Sequence, residues 1–272
     1  DACHDADLSL TLLMESSTEA ATVDRLIERT VRSHHVDGLI VSTALTDDVL
    51  CRRLMADGFP FVCIGQDDRF SHSFVDVDNR AAAQLAVEHL IAHGHRSIAM
   101  ISGHTDIVAA RSRQQGYVDA LEAAGLPIGP IRSGEFNEYR AFVQALELLS
   151  LPDRPDAIFA SSDAMAIGIL RAAQSLGLEV PEDLAVMGFD GFEADLLESH
   201  RLSTVSQPAR LIGRRAVELL VELISDPSKA PLQEVFPVEL HLGTTCGGGH
   251  DLPADDAPAL SAVSAGESQV AP

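Results

Sequence analysis

Polar side chains follow several predicted strands at the point where each strand ends. Asp190 follows one apolar run, Ser162 and Asp163 follow another, and Ser42 and Gln66 end two more. Open α/β sheets bind ligands at the carboxyl ends of their strands, so these side chains are candidates for a binding site. A simpler interpretation is that Asp163 caps the helix that follows it, which we favour, and that Asp190 closes a turn. For Asp190, a turn and a ligand contact both stay open on the residues alone.

Two arginines and one phenylalanine extend this set. Arg111 and Arg113 open a predicted helix. A guanidinium donates to two neighbouring oxygens and a carboxylate such as Asp190 accepts from two, which suits a small ligand that carries several hydroxyl groups. An aromatic face would complete such a site, and the chain has no Trp and 2 Tyr. Phe136 is therefore the candidate aromatic side chain in a loop.

Motifs for other chemistry are missing from the sequence. There is no GxSxG nucleophile elbow, GxxxxGK[ST] phosphate loop, GxGxxG turn or HExxH pair. Residues 76–79 begin like a calcium loop, but Arg80 and Ala81 stand where a sharp glycine turn is needed. The 4 cysteines form no CxxC pair, and the paired histidines His34 with His35 and His93 with His95 lie at predicted helix ends. We expect no catalytic residue, no metal ion and no cofactor.

The charge balance opposes contact with nucleic acid. The chain has 41 Asp and Glu against 19 Lys and Arg, a net charge of −22, and DNA binding requires cationic side chains. Residues 247–272 hold only four of these acids, so the acidity belongs to the folded part. No apolar run approaches about 18 residues and no signal segment is visible, so we expect no membrane contact. Scattered cysteines are typical of the cytoplasm, although a long-range disulfide stays open.

Apolar runs alternate with helical patterns along the chain. Most of the runs are continuous, which is typical of parallel strands buried on both faces, and the alternation predicts a doubly wound α/β fold. From Gly247 onward, Gly, Pro, Ala and Ser dominate without an apolar face, which predicts a disordered tail over 247–272. The predicted strands are 8–14, 37–42, 59–65, 97–103, 156–161, 183–189 and 235–242.

Four blocks resemble one family. DNRAAAQLAVEHLIAHGHRSIAMISG, AARSRQQGYVDALEAAGL, PDAIFASSDAMAIGILRAAQSLGLEVPEDLAVMGFDG and LSTVSQPARLIGRRAVELLVELI are similar, in order and spacing, to the LacI/GalR transcriptional regulators. The resemblance runs from about Leu8 to about Cys246. It implies a periplasmic-binding-protein-like α/β fold, in which two doubly wound lobes of parallel sheet are joined by three crossovers.

The resemblance also places the lobe boundaries. It implies an N-terminal lobe of 1–77 plus 209–233 and a C-terminal lobe of 78–206 plus 235–246. The crossovers would then fall near Val77, at Gln207–Pro208 and near Glu234.

The resemblance assigns residues to the cleft between the lobes. Arg113 and Asp190 match the family's effector-binding arginine and aspartate, and Phe136 resembles its cleft aromatic. Ser162 stands where sugar-responsive members often carry Asn, while Ser42 and Gln207 match cleft positions more loosely. What the resemblance implies is a homodimer that binds a sugar-like effector, with lobe closure coupled to operator binding.

The resemblance further implies segments that this chain does not contain. Family members begin with a helix-turn-helix and a hinge helix, followed by a first strand and helix of the N-terminal lobe. A central strand cannot be lost without exposing edges and apolar surface, so we expect the parent protein to carry these segments. The alternative is an exported sugar-binding protein of a transport system, which shares the fold. An enzyme is not expected, since no nucleophile and base are paired.

We predict that the polypeptide of residues 1–272 has no measurable affinity for duplex DNA at physiological salt. Its charge of −22 repels phosphates instead of displacing their counterions. Fluorescence anisotropy of a labelled duplex checks this, with an established DNA-binding protein as the positive control. Binding that weakens steeply as salt is added would contradict the prediction.

Overall fold

A computed structural model describes residues 3, 8–13, 20–42, 45, 48–67, 69, 71–192 and 200–247. Most of the predicted tail, from residue 248 on, therefore lies outside the described residues. The helices are α1 (Ala20–Ile27), α2 (Val49–Ala56), α3 (Asn79–Ala92), α4 (Val108–Ala123), α5 (Glu138–Leu149), α6 (Asp163–Ser175) and α7 (Ala209–Ser225). The strands are β1 (Leu39–Ser42), β2 (Phe61–Ile64), β3 (Phe74–Val77), β4 (Ile98–Ser102), β5 (Ile131–Ser133), β6 (Ala157–Ala160), β7 (Ala185–Asp190), β8 (Ser203–Ser206), β9 (Gln233–Phe236) and β10 (Glu239–His241). None of the helices among these residues is both long and apolar enough to cross a bilayer.

The strands form two sheets, which confirms the predicted α/β class. The first sheet has the order β1-β2-β3-β9, and all its pairs are parallel. The second has the order β10-β8-β7-β6-β4-β5, and only the β10–β8 pair is antiparallel. We call the first sheet with α1, α2 and α7 the first lobe, and the second sheet with α3 to α6 the second lobe.

The chain passes between the two sheets at three places. It crosses after β3, after β8, and between β9 and β10. The last crossing lies at 237–238 and not near Glu234, because β9 pairs with β3 as far as Phe236 opposite Val77. The single strand predicted over 235–242 is thus two strands in different sheets. Pro237 separates them, since a proline has no N–H to donate to a ladder.

The strand predicted over 8–14 is wrong for its described part. Residues 8–13 form no strand, and the side chains of Leu10 and Leu12 are 75% and 80% exposed. An isolated strand is not stable without a neighbour to pair its N–H and C=O groups, and no described strand pairs with this segment. Strands β3 (FVDV), β5 (IRS) and β8 (STVS) were not predicted, because polar residues interrupt their apolar runs.

The second lobe buries both faces of its sheet. In β4, Ile98 and Met100 pack against α3 and α4, whereas Ala99 and Ile101 pack against α5 and α6. This alternation follows from the two-residue period of a strand covered by helices on both sides. The first lobe is built in the same way, with α7 on one face of its sheet and α1 and α2 on the other.

Two helical glycines, Gly116 and Gly213, differ in how much space surrounds their Cα atoms. A Cβ at Gly116 would lie 2.1 Å from the carbonyl oxygen of Arg80, where α4 crosses α3. A Cβ at Gly213 in α7 would meet nothing within 4 Å. Gly116→Ala should therefore destabilise the fold by about 1–3 kcal/mol through overpacking. Gly213→Ala should stabilise it by about 0.5–1 kcal/mol, because alanine favours a helix.

Urea unfolding followed by circular dichroism measures both variants. If Gly116→Ala proved neutral, α3 and α4 would not pack as closely as described.

Candidate functional site

Three of the predicted site residues meet at the carboxyl end of the second sheet. Arg113 projects from α4 and is 6% exposed, while Asp190 ends β7 and is partly exposed. Arg113 Nη1 lies 3.5 Å from Asp190 Oδ1. Gln207, in the crossover after β8, donates from Nε2 to the same oxygen at 2.9 Å. The structure thus brings Arg113, Asp190 and Gln207 together.

The guanidinium of Arg113 is fixed from several sides. Its Nε donates to Asn79 Oδ1 at 2.8 Å and its Nη1 donates to the carbonyl oxygen of Ser161 at 2.6 Å. Its Cζ lies 3.6 Å from the centre of the Phe189 ring, a cation–π contact. Burial lowers the pKa of Arg113, and the charge of Asp190 opposes that shift. The cation is therefore held rigidly in a site that desolvates it.

A second carboxylate extends this network into the first lobe. Asn79 Nδ2 donates to Asp76 Oδ1 at 3.1 Å. Asp76 lies on β3, and its Oδ2 accepts from the N–H of Gln66 at 2.8 Å. Burial raises the pKa of Asp76. Asp76 and Asn79 were not predicted as site residues, because residues 76–79 were considered only as a calcium loop. Their place at the end of a strand, next to a crossover, was the signal that could have found them.

Part of this cluster has no protein partner. Within the part of the chain that the structure describes, Arg113 Nη2 makes no hydrogen bond, while the Asp190 carboxylate, bonded by Gln207 and by the N–H of Asp163, keeps further lone pairs that can accept. Burial raises the pKa of Asp190, and the charge of Arg113 opposes that rise. The backbone of Asp190 has a φ of +129°, which side-chain-bearing residues rarely adopt and which is typical of functional sites. One acceptor and one donor therefore stand side by side for a ligand.

Phe136, Ser162 and Ser42 also lie at the carboxyl ends of strands. The Phe136 ring packs so closely on the end of β4 that a Cβ at Gly103 would lie 2.1 Å from it. Ser162 follows β6, and its Oγ accepts from the N–H of Met165 at 3.3 Å, which caps α6. Ser42 is the exposed last residue of β1. Their contact with a ligand stays a prediction.

Asp163 does not cap its helix, which corrects the interpretation favoured from the sequence. Ser162 provides that cap. The carboxylate of Asp163 instead accepts from Thr204 Oγ1 and from the N–H groups of Gly191 and Phe192. Burial raises the pKa of Asp163 to about 6. Sequence could not show this, because the partners are distant in the chain.

The cysteines and histidines have local contacts. All four cysteines are free thiols, and Cys51 Sγ lies 3.4 Å from Cys63 Sγ inside the first lobe. His93 Nδ1 bonds the carbonyl oxygen of His89 at 2.8 Å, at the end of α3, which is the structural role expected for it. Among the described residues, no three His, Cys, Asp or Glu side chains are grouped so that they could hold a metal ion.

Replacing Arg113 tests the electrostatics of this cluster. Arg113→Met leaves Asp190 buried without its cation, so the free energy of unfolding should fall by about 3–5 kcal/mol. The deficit should shrink as pH falls. In the variant, the charge of Arg113 no longer opposes the rise in the pKa of Asp190, so the folded-state pKa lies further above the unfolded value. The folded variant therefore gains stability when Asp190 is protonated.

Chemical unfolding at pH 5 and pH 8, followed by circular dichroism, measures this deficit. Arg132→Met is the matched control, because Arg132 is exposed and, among the residues that the structure describes, bonds only the carbonyl oxygen of Ile131. A deficit that stayed the same at both pH values would show that Arg113 does not balance the charge of Asp190.

Known proteins resemble this chain over most of its length. The periplasmic binding protein-like domain matches residues 87–246. The HTH-type transcriptional regulator CelR of Thermobifida fusca is 36% identical over 213 residues, which are 76% of this chain and 62% of that protein. The chain therefore spans about three fifths of the length of this curated relative.

Solved structures of transcription regulators are also similar to this chain. The complex of the transcriptional regulator CelR with cellobiose superimposes with a TM-score of 0.82 and 33% identity, over 90% of this chain and 75% of that one. A regulatory protein of the LacI family from Chloroflexus aggregans gives a TM-score of 0.79 and 31% identity, over 90% and 88% of the two chains. The fold, the similarity to these regulators and the sequence blocks noted above agree. This chain belongs to the LacI/GalR family of transcription regulators.

Proposed function

We propose that this chain is the effector-binding and dimerisation core of a transcription regulator, and that it binds a neutral, sugar-like molecule between its lobes. The observation that carries the proposal is the Arg113–Asp190 pair, in which Arg113 Nη2 has no partner among the described residues and the partly exposed Asp190 carboxylate can still accept. A hydroxyl group can donate to the carboxylate oxygen while a neighbouring oxygen accepts from the guanidinium.

The local charge favours a neutral ligand over a phosphorylated one. Three carboxylates, those of Asp190, Asp76 and Asp163, act on the single guanidinium of Arg113. A phosphate would bring further negative charge into a site that already has an excess of it, within a chain of net charge −22. The CelR relative whose structure holds cellobiose supports the same class of ligand.

Other predicted residues would line the ligand. Phe136 would offer an apolar ring face to a sugar, and Gln207 would steady Asp190 while facing the cleft. Ser162 and Ser42 would add hydroxyl groups from the second and first lobes. The two lobes also contact each other where Leu45 forms an isolated antiparallel bridge with Ile107.

The same network suggests how a ligand acts at a distance. Hydrogen bonds and one ion pair connect Asp76, Asn79, Arg113, Asp190 and Gln207, and they reach two of the three crossovers. A ligand that binds better to one arrangement of the lobes shifts the population toward it. In a homodimer in the cytoplasm, that shift would change the spacing of N-terminal DNA-binding segments, and so operator affinity.

An exported sugar-binding protein is the weaker alternative. It would share the fold, but the relatives reported above are regulators of transcription. A helix-turn-helix or a signal peptide encoded upstream of residue 1 distinguishes the two.

Asp190→Asn tests the proposed site. The amide keeps the size of the side chain but loses the charge and one acceptor, so ligand binding should weaken by about 1.5–3 kcal/mol, or about 10- to 150-fold. A thermal-shift screen of neutral sugars, their phosphates and nucleosides, beginning with cellobiose, finds the ligand, and calorimetry measures the affinity. Asp153→Asn, an exposed loop acid of the second lobe, is the matched control.

Unchanged affinity in Asp190→Asn would refute the site. A stronger response to sugar phosphates than to neutral sugars would refute the proposed class of ligand.

A further inference from the structure

A buried carboxylate lies directly behind the proposed site. Asp163 is the first residue of α6 and is 1% exposed. Since Ser162 caps the helix, the Asp163 side chain is free to leave it and reach the ends of β7 and β8. Asp163 is therefore not explained by the stability of α6.

The turn that this carboxylate holds carries Asp190. Asp163 Oδ2 accepts from the N–H of Gly191 and from the N–H of Phe192, each at 2.9 Å. Asp190, which precedes both, has a φ of +129°. A residue persists in such a conformation only where its surroundings impose it, and two charge-assisted bonds to the next two residues do so.

The neighbouring strands are shaped around the same carboxylate. Asp163 Oδ1 accepts from Thr204 Oγ1 of β8 at 2.6 Å. A Cβ at Gly188 of β7 would lie 2.3 Å from Oδ1, so only glycine leaves room for the acceptor there. Because Gly188 has no positive φ, its backbone conformation does not require glycine. The space that the Asp163 carboxylate needs explains why glycine stands there.

We propose that Asp163 is a positioning residue of the ligand site: its carboxylate fixes the 190–192 turn and so aims the carboxylate of Asp190 at Arg113 and the ligand. This inference rests on the proposed function. It adds to that function a residue that touches no ligand and acts through Asp190.

Protonation of Asp163 should release the turn. The ionisable groups that act on it are Asp190 at the end of β7 and Arg113 on α4, and Thr204 donates to it from β8. Burial raises its pKa to about 6, with the charge of Asp190 adding to the rise. Below that pH the two N–H groups face a neutral acid, and ligand affinity should weaken.

Stability should change in the opposite direction. The folded-state pKa of about 6 lies above the ordinary value of 3.8, so the folded state binds the proton more tightly. The contribution of Asp163 to the free energy of unfolding is therefore largest below the ordinary value and is lost as pH rises to about 6. A merely structural acid would not weaken binding over the interval in which it stabilises the fold.

The first experiment needs no ligand. Amide hydrogen exchange, followed by NMR on the full chain and corrected for intrinsic rates, should show that Asp163→Asn reduces the protection of the Gly191 and Phe192 amides about tenfold or more. The amides of Met100 and Ile158, in the core strands, should keep their protection. Thr204→Val keeps the carboxylate but removes the donor that favours its ionised form, so the pH midpoint of protection at 191 and 192 should move upward.

The second experiment measures affinity for cellobiose, or for the neutral sugar that the screen identifies, between pH 5 and pH 8. In the unsubstituted chain the affinity should fall below about pH 6. In Asp163→Asn the affinity should be about tenfold lower than that of the unsubstituted chain at pH 8, and it should stay constant over this range. Thr204→Val should move the pH midpoint of binding upward. Because Thr204 bonds Asp163 and, among the described residues, does not bond Asp190, such a shift identifies Asp163 as the group that titrates.

Normal protection of the 191 and 192 amides in Asp163→Asn would overturn the inference, as would a midpoint that Thr204→Val leaves in place. If no sugar binds, the proposed function fails, while the exchange experiment still decides whether Asp163 holds the turn. If Asp163→Asn does not fold, Thr204→Val carries the test.

Discussion

The buried guanidinium of Arg113 is the constraint on which the site depends. A cation with 6% exposure is tolerated only where hydrogen bonds and opposite charges replace the water that it has lost. Asn79, Ser161 and Asp190 provide them, and the ring of Phe189 covers one face of the guanidinium. Since these partners come from α3, β7 and the end of β6, the position of Arg113 ties together the helices and strands around it.

The same constraint connects the site with the junctions between the lobes. Asn79 follows the first crossover and also bonds Asp76 of the first lobe, while Gln207 lies in the second crossover and bonds Asp190. A ligand that takes up the remaining donor and acceptor would compete with, or reinforce, bonds that belong to these junctions. The proposed coupling therefore needs no chain of contacts through the core. The ligand would contact Arg113 and Asp190, which are bonded to the crossover residues Asn79 and Gln207.

Much of the fold could be predicted because parallel strands buried on both faces are continuous apolar runs, as in β4 and β7. Arg113 and Asp190 could be found because their types and their positions at strand ends restrict what they can do. The two strands β9 and β10 were merged because an apolar pattern does not reveal sheet membership. The cap of α6 was expected at Asp163 and lies at Ser162, because a helix cap and a bond to a distant strand differ only in the tertiary partner. For Asp163, those partners lie 28 and 41 residues along the chain.

A crystal structure of the chain with the ligand found by thermal shift would show whether a neutral molecule binds between Arg113 and Asp190. We expect ligand hydroxyl oxygens within about 3 Å of both the Asp190 carboxylate and Arg113 Nη2. A ligand bound elsewhere, with no contact to either group, would show that the Arg113–Asp190 pair is not the ligand site.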